Sequence, residues 1–147
     1  MEITHNLEEF KAFARRFVGS LKPQQKACVI GLSGNLGSGK TTFTQEIARN
    51  LGVTETVTSP TFVIEKIYTL PDSAIFNRLV HIDAYRIEKE FEMKSLRWEE
   101  IISDPKNLVI IEWGERIQDL MPKDVLFVSF KFINENTREI KIHTHER

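Results

Sequence analysis

The stretch Ala27-Cys28-Val29-Ile30-Gly31-Leu32-Ser33-Gly34-Asn35-Leu36-Gly37-Ser38-Gly39-Lys40-Thr41-Thr42 decides how this chain is read. It opens as a short apolar run and turns through a glycine-rich segment. A helical pattern from Thr41 to Leu51, closed by Gly52, then follows. Strand, loop and helix come in that order, and Gly34 to Thr41 fits GxxxxGK[ST] at every required position, which describes a phosphate-binding loop. Each position has a physical reason. Glycines let the backbone turn tightly, so that successive N–H groups face phosphate oxygens. The helix starting near Lys40 adds the positive end of its dipole. The Lys40 ammonium can bridge β- and γ-phosphates, and the Thr41 hydroxyl can ligate Mg²⁺. The candidate nucleotide-binding residues are therefore Asn35, Leu36, Gly37, Ser38, Gly39, Lys40, Thr41 and Thr42, with ATP and Mg²⁺ as the implied cofactors.

Such a loop needs a carboxylate at the end of a neighbouring strand to hold the metal or its waters. Two runs end that way: Leu108-Val109-Ile110-Ile111-Glu112, the pattern of a Walker B strand, and Leu79-Val80-His81-Ile82-Asp83. Both fit the carboxyl edge of an α/β sheet, where such folds bind ligands. Either carboxylate can ligate Mg²⁺ while the other orients water, and the residues leave that choice open. A surface carboxylate or a turn-capping Asp is the bland reading of each. Thr58-Ser59-Pro60-Thr61 forms a defined loop, since Pro60 restricts Ser59 to extended geometry. Thr61 there can reach the metal or γ-phosphate, or its hydroxyl can simply bond its own backbone. Trp113 follows Glu112, either packed in the core or beside the nucleotide, and His81, Tyr85 and Arg86 surround Asp83.

Working outward, Asn6 to Leu21 sets Leu7, Phe10, Phe13, Ala14, Phe17, Val18 and Leu21 at helical spacing. Asn6 caps that helix, with Glu9 three residues on, as in a capping box. Val63 to Tyr68 reads as a strand, Leu79 to Ile82 as a short buried strand and Glu88 to Ile102 as mostly helix. Leu108 to Ile111 is continuously apolar, like a central strand covered on both sides. Val125 to Phe132 and Glu139 to His143 alternate around Asn134-Glu135-Asn136, which predicts a terminal antiparallel hairpin. Strands alternating with helices predict an α/β, three-layer P-loop NTPase fold. Its central sheet is mostly parallel, and one domain spans 1–147.

Composition bounds the rest. The chain has 147 residues, 41% hydrophobic and 28% charged, with 20 Lys plus Arg against 21 Asp plus Glu. Proteins that hold nucleic acid unaided usually carry a clustered basic surface. Here Arg15-Arg16 is an isolated pair, so direct RNA or DNA binding is not expected. No apolar run approaches the roughly 20 residues of a membrane span, and the N-terminus does not read as a secretory signal. A cytoplasmic location is the expectation. Cys28 is the only cysteine and reads as a buried small hydrophobe. His143 and His145 read as solvated tail residues.

Taken together, four segments resemble the bacterial TsaE (YjeE) family, the P-loop ATPase of tRNA threonylcarbamoyladenosine (t6A) synthesis. They are GNLGSGKTTF (Gly34 to Phe43), TSPTF (Thr58 to Phe62), HIDAYR (His81 to Arg86) and IEWGE (Ile111 to Glu115), in the family's order. Gly114 stands where many members carry Pro or another small residue. The resemblance implies ATP binding and hydrolysis beside the TsaB–TsaD pair, which modifies adenosine 37 of ANN-decoding tRNAs, with tRNA met only indirectly through those partners. It also implies Thr41 and Glu112 as Mg²⁺ ligands, Lys40 as the phosphate clamp, Thr61 and Asp83 as further catalytic groups, and an approach of the segment near Asn6 to the adenine.

Two other classes share the loop. A small-molecule P-loop kinase usually carries a mobile lid with several arginines, whereas the tail after Glu112 holds only Arg116, Arg138 and Arg147, scattered. A GTP-dependent switch commonly reads guanine with an NKxD segment, which this sequence lacks.

Overall fold

Alternation of apolar residues along short strands builds a sheet with two greasy faces, and the helices cover them. The computed structural model describes residues 1–35, 37–57, 65–72, 74–84, 96–113, 117 and 119–144. The elements follow in the order β1 (Glu2–Thr4), α1 (Leu7–Ser20), β2 (Cys28–Ser33), α2 (Lys40–Asn50), β3 (Glu65–Thr69) and β4 (Arg78–Asp83). After these come α3 (Trp98–Ser103), β5 (Asn107–Glu112), β6 (Leu126–Phe132) and β7 (Arg138–Thr144).

Among the described residues the strands form one seven-stranded sheet in the order β1-β7-β6-β2-β5-β4-β3. Its four central strands, β6, β2, β5 and β4, run parallel. Antiparallel strands finish both edges: β3 on β4, and the β6–β7 hairpin extended by β1. This is a mixed α/β architecture with a parallel centre, as the alternating sequence pattern predicts. The first half of the expected 88–102 helix lies mostly outside the described residues, and α3 is its described part.

Helix α1 starts where its sequence says. The Asn6 side-chain oxygen accepts from the Glu9 N–H at 2.8 Å. The Glu9 carboxylate accepts in turn from the His5 N–H at 2.9 Å, one residue earlier than in a standard capping box. Phe10, Phe13, Ala14, Phe17 and Val18 form its buried stripe. They meet Phe43, Ile47 and Ala48 of α2 and Ile30, Leu32, Leu108, Ile110 and Val128 of the sheet in one apolar cluster. Phe43, fully buried, lies 5.1–6.5 Å between ring centroids from Phe10, Phe13, Phe17 and Phe130. Each such fully buried side chain stabilises the fold by roughly 1.5–3 kcal/mol.

The alternate strand residues Val29, Val80, Ile82, Val109, Ile111 and Phe127 face the other way and pack with Trp98 and Ile101 of α3. The Trp98 indole N–H donates to the Leu120 carbonyl at 3.1 Å, which satisfies its one polar atom inside that cluster. Asn107 fixes the start of β5 by donating from its side chain to the Ile101 carbonyl. Among the described residues, no helix is long and apolar enough to cross a membrane.

Candidate functional site

The central strands set the site by register. Leu32 of β2 pairs with Glu112 of β5, and Glu112 pairs with Asp83 of β4, so the two carboxylates sit in one row at the carboxyl ends of parallel strands. Ser33 ends β2, and the glycine-rich segment leaves the sheet directly beside that row. Side chains alternate along a strand. Asp83 and Glu112 therefore share the face of Leu79, Leu108 and Ile110, the face covered by α1 and α2. Both carboxylates are buried, at 4% and 3% exposure.

Glycine is required at Gly34. Its φ is +142°, and a Cβ there would lie 2.6 Å from the Phe130 carbonyl oxygen and 2.6 Å from Ser38 Oγ. Gly39 caps α2 at a φ of +116°, and its missing side chain makes room for the Phe10 ring, 2.7 Å from where a Cβ would be. No side chain caps the N-terminus of α2. The first-turn N–H groups of a helix have no intrahelical acceptor.

Lys40 is the first residue of α2 and is 5% exposed. Its Nζ donates to the Gly34 carbonyl and lies 3.6 Å from the centroid of the Trp113 ring. A largely buried ammonium needs this kind of compensation. Ser38 is buried, and among the described residues its Oγ has no hydrogen-bond partner. Thr41 and Thr42 lie half-buried in the first helical turn, and Asn35 and Gly37 are exposed. Leu36 and Thr61, with the segments 58–64, 85–95 and 114–116, lie outside the described residues.

The structure therefore brings together Gly34, Ser38, Lys40, Asp83, Glu112 and Trp113, which sequence reading singled out. It adds contacts of three residues to which sequence reading gave no part in the site. His81 hydrogen-bonds Glu112, with Nε2 2.7 Å from Oε2. Arg138 of β7 donates to the Gly37 carbonyl at 3.2 Å and places its guanidinium over the Phe132 ring. Phe10 fills the space that Gly39 leaves. The signal for His81 was present in the period-2 spacing of His81 and Asp83. None existed for Arg138, which reaches the loop from 101 positions away.

A cavity of about 110 Å³ opens beside the start of α2, lined by Thr4, Asn6, Phe10, Gly39, Thr42 and Arg138 among others. Away from this site, burial pushes the Cys28 thiol up to about 11, helped by the Asp124 charge. Little of such a thiol is thiolate near neutral pH.

A parallel strand, a glycine loop and a helix follow one another here, with two carboxylates on adjacent strand ends, in a mixed α/β protein. The chain belongs to the TsaE family: the family model for threonylcarbamoyl adenosine biosynthesis protein TsaE matches residues 4–140. Among named relatives, it is 35% identical over 144 residues to a tRNA threonylcarbamoyladenosine biosynthesis protein TsaE of Rickettsia prowazekii, covering 97% of this chain and 94% of that one. The Bacillus subtilis TsaE is 38% identical over 137 residues, covering 93% and 80%. A crystal structure of Bacillus subtilis YdiB superposes with a TM-score of 0.72 at 29% identity, covering 99% of this chain and 84% of the other.

Proposed function

We propose that this chain is a single-domain, three-layer P-loop ATPase that binds ATP with Mg²⁺ and hydrolyses it slowly, serving tRNA t6A37 modification beside a TsaB–TsaD-type complex. The observation that carries the reading is the register of Leu32, Glu112 and Asp83, which sets two buried carboxylates beside the loop bearing Gly34 and Lys40. Family membership supports the pathway.

The residues fit the cofactors. A glycine whose Cβ has no room, an orphaned Ser38 hydroxyl and an uncapped helix start form a cradle for phosphate oxygens. Lys40 would exchange the Gly34 carbonyl and the Trp113 face for the β- and γ-phosphates, as a compact point charge does well. Thr41 and Glu112 would hold Mg²⁺, which with nucleotides takes one or two protein oxygens. When bound, that ion neutralises charge developing on the phosphates. Asp83, one strand over, would orient the attacking water, and Thr61 would complete the site from its own loop. Asn6, Phe10 and Arg138 line the cavity into which the adenine would extend.

Phosphoryl transfer to water asks for positioning and charge neutralisation more than covalent chemistry. A formal net charge of −1 supports contact with tRNA only through partners. The test is ATP turnover measured alone and with the TsaB–TsaD complex. Turnover should rise with the partner and fall about 10²–10³-fold in Glu112→Ala, while nucleotide binding persists. Equal turnover with and without the partner counts against the reading, and normal turnover in Glu112→Ala moves the metal to Asp83.

A further inference from the structure

His81 lies two residues before Asp83 on β4, opposite Ile110 of β5. Strand alternation puts His81, Asp83 and Glu112 on one face. His81 is 0% exposed, and its Nε2 lies 2.7 Å from Oε2 of Glu112. An ionised carboxylate only accepts, so the imidazole donates through Nε2. The other ring nitrogen, Nδ1, is buried with no hydrogen-bond partner among the described residues. Leaving a ring nitrogen unpaired in a dry interior is unfavourable, and an apolar side chain of the same size would avoid it. The bond to Glu112 is what the histidine provides in exchange.

We propose that His81 is a positioning residue that holds Glu112 in one orientation, so that its carboxylate is presented to a divalent cation beside the phosphate loop. The inference rests on reading Glu112 as a metal ligand. A long carboxylate side chain has three rotatable bonds. Pinning Oε2 removes most of that freedom before the cation arrives and fixes where Oε1 can go. Asp83, one methylene shorter, lies directly opposite Glu112 in register.

The test uses the full chain loaded with ADP and titrated with Mn²⁺, followed by electron paramagnetic resonance. ADP affinity in the presence of a chelator and the melting temperature are measured alongside. Groups that orient a metal ligand typically change metal affinity by about 10–100-fold. His81→Leu should weaken Mn²⁺ by that factor and leave chelator-insensitive ADP affinity within about 2-fold. His81→Gln, whose amide N–H reaches as far as Nε2, should recover most of the loss. Where His81→Leu folds poorly, His81→Gln against the shorter His81→Asn decides. Equal Mn²⁺ affinity in that pair, or wild-type affinity in His81→Leu, overturns the inference while the nucleotide reading stands. Wild-type Mn²⁺ binding in Glu112→Ala overturns the metal-ligand reading itself, and this inference with it.

Discussion

The Lys40 ammonium stands 3.6 Å from the ring centroid of Trp113 while donating to the Gly34 carbonyl, so one cation ties the start of the glycine loop to the residue after β5. Trp113 itself holds a φ of +62°, a conformation that bulky residues rarely adopt. Its N–H donates to the Leu32 carbonyl at 2.8 Å, which helps impose that backbone. Local strain of this kind costs roughly 1–3 kcal/mol and survives where surroundings overdetermine it.

Trp113 is therefore a built-in reporter. If Lys40 turns to a phosphate as proposed, the indole would lose a cation contact of about 0.5–2 kcal/mol and a strong local field. Tryptophan emission should change on adding Mg-ADP. The change should vanish in Trp113→Phe and persist in Trp98→Phe, since Trp113 carries the Lys40 contact and the Trp98 indole is held by the Leu120 carbonyl. A response that instead follows Trp98 would contradict the placement of Lys40.

Gly34 should not tolerate a side chain. Gly34→Ala meets backbone and Ser38 at 2.6 Å in a φ region that alanine avoids. Denaturant unfolding should show a loss of about 1–3 kcal/mol, with nucleotide affinity down by at least about 10-fold. Gly37→Ala has open space around the new Cβ. It should cost only the left-handed backbone term, about 1–2 kcal/mol.

Phe43 should be the most costly single truncation in the helix layer. It is fully buried and touches aromatic rings from α1 and β6. Phe43→Ala should lose about 3–5 kcal/mol of unfolding free energy. Ile67→Ala, on the exposed side of β3, should stay within about 0.5 kcal/mol. Similar losses in both would deny the packing described.

Cys28 should react with alkylating reagents only once the chain unfolds. Burial raises its thiol to about 11, so the folded protein holds almost no thiolate near neutral pH. The same shift makes a pH prediction. The unfolded thiol ionises near 8.5, below the folded value. The stability that Cys28 contributes is fully present below that lower value and falls as pH rises toward about 11. Removing the thiol with Cys28→Ala should flatten this part of the stability curve. A thiol that alkylates at the free-cysteine rate in the native protein would refute its burial.

Much of this was legible in the residues because local physics and global fold agree. Asn6, Glu9 and the phenylalanine stripe specify α1 by capping and period alone. The apolar runs ending in Asp83 and Glu112 specify strands, and their parallel register follows from the crossovers between them. Other features carry no local signal. The strand β1 is three residues long and exists only because β7 offers it an edge. The contact of Arg138 with Gly37 depends on a hairpin folding back across the sheet. The bond from His81 to Glu112 joins two strands far apart in sequence, and only the register of β4 on β5 brings them within reach. The identity of a site residue was readable where one strand carries it, and its partner was hidden where a neighbouring strand supplies it.

The central claim is that the cradle around Gly34 and Lys40 holds a nucleoside triphosphate. Isothermal titration calorimetry of the purified chain with Mg-ATP tests it most directly, with Mg-GTP and Lys40→Ala as comparisons. The account predicts a one-to-one isotherm with ATP, weaker binding of GTP and no measurable heat with Lys40→Ala. A flat trace with wild-type protein, or an isotherm that Lys40→Ala leaves unchanged, would contradict it.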